Sequence, residues 1–148
     1  MMETQDSRDT VAVDEVVHEA YKQLTEGNDA VSAPFRTMKD VFMWAVALGS
    51  QLGERRPLTG KRVTIFRWAQ FTPQTDVPIL KAVALADSGN IDVLLSQEEI
   101  LNTAEQYANA GIHELRSTVL NEYGQPLWNL VRMSDPTLTR KANPVIKR

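Results

Sequence analysis

The sequence predicts a mainly α, single-domain protein of four to five helices with a possible small two-stranded β element at about residues 63–68 and 91–95. Three observations predict it. The chain has 148 residues, the length of one domain. With 43% hydrophobic and 24% charged residues it has the balance of a packed core, which excludes wholesale disorder and collagen-like repeats. Apolar residues recur at helical spacing along most of its length. Residues 1–9 read as a flexible N-terminus, 10–133 as the helical domain and 134–148 as a basic flexible tail.

From residue 10 to 26, Val13, Val16, Val17, Ala20, Tyr21 and Leu24 form the stripe of an amphipathic helix, ended by Gly27-Asn28-Asp29. Asp14, Glu15, Glu19, Lys22 and Glu26 fall on its other face and read as solvated charge. Thr37-Met38-Lys39-Asp40 resembles a capping box and opens a second helix. The run Val41–Leu48 then makes that helix apolar on nearly all sides, as a central helix is, with Gly49 and Gly53 allowing close approach or termination. Between Gly53 and Thr75 the helical period disappears, and Val63-Thr64-Ile65-Phe66-Arg67-Trp68 reads as one short strand. Thr75 or Asp76 caps a third helix with Pro78 in its first turn, where its missing N–H costs nothing. Ile91-Asp92-Val93-Leu94-Leu95 is either a strand pairing with 63–68 or a short turn of helix, since five residues carry too little periodicity. Ser96 with Glu99 opens a further helix that runs to about residue 122, either kinked or divided at Ala110-Gly111. Leu127-Trp128-Leu130-Val131-Met133 is a short apolar piece packed on the body.

Composition narrows the chemistry. The chain contains no cysteine, so it has no disulfide, thiolate nucleophile, iron–sulfur cluster or cysteine-based zinc site. Its N-terminus lacks a basic stretch followed by an apolar one, and the longest apolar run is far short of the roughly 20 residues of a membrane helix. A cytoplasmic location away from membranes is expected. His18 and His113 fall in separate predicted helices, which leaves little to build a triad or a metal site; Asp14 and His18 at i, i+4 are the one weak pair. Residues 53–62 lack the glycine and the Ser/Thr of a phosphate loop, because Arg55 and Arg62 stand at those positions. A helix-turn-helix over residues 79–98 fails because Glu98 and Glu99 would face the DNA backbone. The carboxylates Asp87, Asp92, Glu98, Glu99 and Glu105 cluster in sequence but match no nuclease or phosphatase spacing, and acidic helix starts account for Glu98 and Glu99. No catalytic residue, cofactor or metal ligand is therefore assigned.

Charge is unevenly spread although the net is only −3. Acidic residues dominate the first 30 positions. Arg55, Arg56, Lys61, Arg62 and Arg67 gather in one loop-and-strand segment, and Arg132, Arg140, Lys141, Lys147 and Arg148 gather at the end. Cations beside Phe66, Trp68 and Phe71 suit nucleic acid, with phosphates on the charges and a base on a ring; the bland alternative is a solubilising loop with its aromatics in the core. Exposed apolar residues among Leu127, Trp128, Leu130 and Val131 would instead suit a protein partner or a second copy of the chain.

The stretches Ala33-Pro34-Phe35-Arg36-Thr37-Met38-Lys39-Asp40-Val41-Phe42-Met43-Trp44-Ala45-Val46-Ala47-Leu48-Gly49, Arg56-Pro57-Leu58, Arg67-Trp68 with Phe71, Ala82–Gly89 and Glu105-Gln106-Tyr107-Ala108-Asn109-Ala110-Gly111 occur in an order that resembles the DNA-sulfur-modification-associated protein 4 family. The resemblance spans about residues 33–115. An acidic residue is expected where Gln106 stands, and the tail after Ser134 inherits nothing. The resemblance implies an accessory part in bacterial systems that replace a non-bridging backbone oxygen of DNA by sulfur, and in the linked restriction and antiphage defence. It implies no reaction and brings no catalytic residues. The expected function is thus a non-catalytic accessory protein that contacts DNA, other proteins of its gene cluster, or both. A homo-oligomeric adaptor without DNA contact, or a metal-dependent nuclease using Asp87, Asp92 or Glu98, are the alternatives.

Overall fold

Strand propensity, not helix propensity, governs the start of the fold. The computed structural model describes residues 8–135 and 137. Within them Thr10–Asp14 is a strand, β1, whose Val11 and Val13 alternate into the core. It pairs antiparallel with β2, Arg62–Arg67, from Thr10 opposite Arg67 to Asp14 opposite Arg62. Val11 faces Phe66 while Ala12 faces Thr64, so Ile65 is the extra residue of a bulge. The β element is therefore present, but its second strand is residues 10–14 and not 91–95.

Helix α1 accordingly runs Glu15–Thr25, and the helix expected over 10–26 loses its first turn to β1. Val17, Ala20, Tyr21 and Leu24 are buried as the stripe requires, whereas Val16 is 68% exposed. Helix α2, Met38–Leu52, begins where Thr37 Oγ1 accepts the Asp40 amide at 3.1 Å and ends at Gly53, whose φ of 70° suits glycine. Helix α3 is Asp76–Ser88. Thr75 gives it no side-chain cap; Asp76 instead accepts the Thr72 amide at 2.8 Å and the Lys39 ammonium at 2.7 Å, tying α3 to α2. Ile91–Leu95 is a 3-10 turn started by Asn90, whose side-chain oxygen takes the Asp92 amide at 2.9 Å. Only Val93 of that turn is buried.

Helix α4, Gln97–Leu115, starts on the expected Ser96 cap and passes straight through Gly111 into a π-helical turn, Arg116–Leu120. The glycine is there for contact and not for a kink: a Cβ on Gly111 would overlap the Ala45 carbonyl of α2, and one on Gly49 would overlap the Tyr107 carbonyl of α4. These two helices are the central pair. Helix α5, Pro126–Ser134, closes the fold, with buried Asn129 donating to the carbonyls of Val119 at 3.0 Å and Glu122 at 3.4 Å. Phe42, Phe66 and Phe71 meet edge-on or tilted at 5.2–6.1 Å between the sheet and α2. Residues 1–7 of the expected N-terminal segment, and all of the basic tail beyond residue 135 except residue 137, lie outside the described residues. No helix among the described residues is long and apolar enough to cross a membrane.

Candidate nucleic-acid interface

The segment between α2 and β2 has no regular structure, so its backbone groups need other partners. They have them. The Arg56 amide donates to the Gln106 carbonyl at 3.0 Å. Asn109 Nδ2 donates to the carbonyls of Arg56 at 3.2 Å and Pro57 at 3.3 Å. Asp14 accepts the amides of Thr59 at 3.3 Å and Gly60 at 3.2 Å, and the Lys61 carbonyl accepts the Glu15 amide at 2.7 Å. Asp14 is thus no solvated helix charge: it is 4% exposed, at the end of β1, and its carboxylate is committed to the loop. That also removes it as a metal ligand paired with His18.

The five cations of this segment are not equivalent. Arg55 turns back onto the body: its guanidinium meets Asp87 at 2.5 Å and Gln106 Oε1 at 3.1 Å, and lies 6.0 Å from the Tyr107 ring centre. Tyr107 donates its hydroxyl to the other Asp87 oxygen at 2.9 Å. Burial, then this bond and the Asp87 charge, raise the phenol above its usual range. Arg67 pairs with Asp9 at 3.1 Å in an exposed contact that solvent screens. Arg56, Lys61 and Arg62 are exposed, and among the described residues none has a carboxylate within ion-pair distance.

Of the two readings of the aromatics, the core one describes Phe66 and Phe71. Phe66 and Phe71 are buried in the aromatic cluster, and Trp68 is half-buried with its ring 5.3 Å from that of Phe71. The residues expected to meet a partner divide in the same way. Leu130 is turned into the core at 9% exposure and Leu127 is half-buried, whereas Trp128 is 55% exposed beside the partly exposed Val131. Asp87 is committed to Arg55 and Tyr107, while Asp92 and Glu98 are exposed on the 3-10 turn and the start of α4. Among the described residues no three histidine, aspartate or glutamate side chains gather as a metal site would need.

Two arrangements were not legible in the sequence, the first being the burial of one of the clustered carboxylates. Glu105, 3% exposed, accepts the Ala12 amide at 2.8 Å and pairs with Arg8 at 2.9 Å. Burial raises its pKa against the pull of that amide, of Arg8 and of the Arg62 charge. Gln106, Asn109 and His113 of the same helix and Arg116 of the turn that continues it follow one another at spacings of three and four and so share a face, on which Gln106 and Asn109 bond the loop. The i, i+3, i+4 spacing was visible, but polar residues in a helical stripe read as solvated surface.

No curated protein and no solved structure matches the chain. The family model described as DNA sulphur modification system-associated protein 4 does, over residues 11–139 of 148, and the chain belongs to that family.

Proposed function

We propose that the protein is a non-catalytic accessory component of its DNA sulphur-modification system and of the restriction and antiphage defence linked to it, working in the cytoplasm on the DNA backbone. One observation carries this: a loop pinned to β1, α1 and α4 through Asp14, Glu15, Gln106 and Asn109 carries Arg56 and Lys61, with Arg62 at the start of β2, all three exposed and, among the described residues, without a carboxylate at ion-pair distance. A cationic loop already fixed in place loses little freedom on binding, and cations of this kind position a protein on phosphates without reading sequence. The burial of Phe66 and Phe71 favours backbone contact over base stacking.

A salt-series titration tests this, using duplex, nicked and single-stranded DNA, each with and without phosphorothioate. Three seated cations give duplex binding a log–log salt slope of about −2.7, at about −0.9 per phosphate. Replacing Arg56, Lys61 and Arg62 by glutamine should weaken binding and flatten that slope. Absence of binding at low salt, or an unchanged slope in the variant, overturns the reading.

A second reading is a protein adaptor, favoured by α5. There Trp128 and Val131 are exposed on successive turns, near an open groove of about 610 Å³ whose walls include Phe35, Trp44, Leu48, Ile79 and Met133. Other products of the gene cluster, or a second copy of the chain, would be the partner. Light scattering on the chain alone and co-purification with the cluster's proteins separate it from the first reading.

A further inference from the structure

We propose that Arg56, His113 and Arg116 form a phosphate-binding site on the face of α4 that meets the loop. The geometry begins with a tautomer. Arg116 donates from one terminal nitrogen to His113 Nδ1 at 2.9 Å and from the other to the Val16 carbonyl at 3.3 Å. A guanidinium can only donate, so Nδ1 must accept and the single ring proton of neutral His113 sits on Nε2. That leaves an Nε2–H donor on His113 and three unspent N–H groups on Arg116. The Arg56 backbone is brought to the same face because Asn109, one turn before His113, holds its carbonyl at 3.2 Å, and the Arg56 charge is felt at the His113 ring.

The charged groups facing the ring are Arg56 and Glu54 from the loop, Asp14 from β1 and Arg116 from the π-helical turn. Burial first, then Arg56 and Arg116, hold His113 below the usual histidine range, against the smaller opposing pulls of Asp14 and Glu54. Asp14 is already committed to the loop amides. Two guanidinium charges thus bear on one imidazole donor, and a tetrahedral oxyanion beside it would offset their repulsion. A phosphodiester of DNA and free phosphate share that chemistry. The site extends the DNA reading but also stands without it, since free phosphate needs no loop lysine.

His113 reports its own occupancy. In the full chain, with His18→Gln used for assignment, ring NMR signals are titrated with pH in chloride, in inorganic phosphate at equal ionic strength, and with a short duplex. The second ring proton goes on Nδ1 and displaces the Arg116 bond, and a bound phosphate offsets that loss by favouring the imidazolium, so the His113 midpoint should rise by about half a unit or more. Arg56→Gln and Arg116→Gln should each shrink that rise, the exposed Arg56 variant serving if Arg116→Gln does not fold. A midpoint unmoved by phosphate and by duplex overturns the site. If duplex binds with a steep salt slope while His113 stays put, the site fails and the loop reading survives. If phosphate alone moves His113 and duplex does not bind, the site holds and the DNA reading fails.

Discussion

Gly111 of α4 lies directly against the Ala45 carbonyl of α2, and Gly49 of α2 repeats the contact in reverse against Tyr107 of α4. A methyl group at either position would overlap backbone, which cannot swing aside as a side chain can. The central pair therefore sits closer than ordinary side chains permit. Gly111→Ala should cost at least about 1–3 kcal/mol by overpacking, although alanine is the better helix former. Urea unfolding measures it, and the double variant with Gly49→Ala should be non-additive because both report one spacing. A neutral or stabilising Gly111→Ala would contradict the close approach.

Asp87 is the discriminating residue for the loop. If its role is to neutralise Arg55, Asp87→Asn releases Arg55 as a fourth unpaired cation beside Arg56, Lys61 and Arg62, and DNA affinity should hold or rise with a slope steeper by up to about one unit. If Asp87 instead belonged to a metal-dependent nuclease, the same change would abolish divalent-ion-supported nicking. Nicking assays beside the salt series decide between the two.

Leu130 and Trp128 separate packing from recognition on α5. Leu130→Ala opens the core and should cost about 2–5 kcal/mol in denaturant unfolding. Trp128→Ala should leave the stability of the chain nearly unchanged, and it should dissolve any oligomer or partner complex that depends on this face. A Trp128 variant as destabilised as the Leu130 one would make Trp128 part of the core and remove the adaptor surface.

What was legible in the sequence was local. Thr37 and Ser96 announce α2 and α4 because a cap needs only a hydroxyl and an amide three residues on, and both bonds form as expected. Gly49 and Gly53 act as close approach and stop, as their type suggests. Strand β1 was hidden because Val13, Val16 and Val17 also fit the start of a helical stripe, and its partner lies some fifty residues away. The cations were visible as a group, but which are spent was not: Arg55 is neutralised from α3, and Asp14, read as surface charge, holds the loop from β1. Such pairings are fixed by the fold and leave no mark at neighbouring positions.

The last prediction concerns Glu105, a carboxylate carried into the core to accept the Ala12 amide beside the bulge. Its raised pKa means that the folded state binds its proton more tightly than the unfolded chain does. The associated stability is therefore fully present below the ordinary glutamate range and is lost as pH rises through the folded value. Glu105→Gln keeps an acceptor for Ala12 and removes the buried charge, so relative to this variant the parent should lose stability as pH rises from 4 toward neutrality, following the linkage slope of about 1.4 kcal/mol per pH unit between the two pKa values. Glu105→Leu should cost about 1–3 kcal/mol more than the glutamine variant, because it strands the Ala12 amide and removes the oxygen that a glutamine still offers Arg8. Urea unfolding of the three proteins across that pH range checks both statements, and a parent that gained on the glutamine variant with rising pH would show that Arg8 outweighs burial.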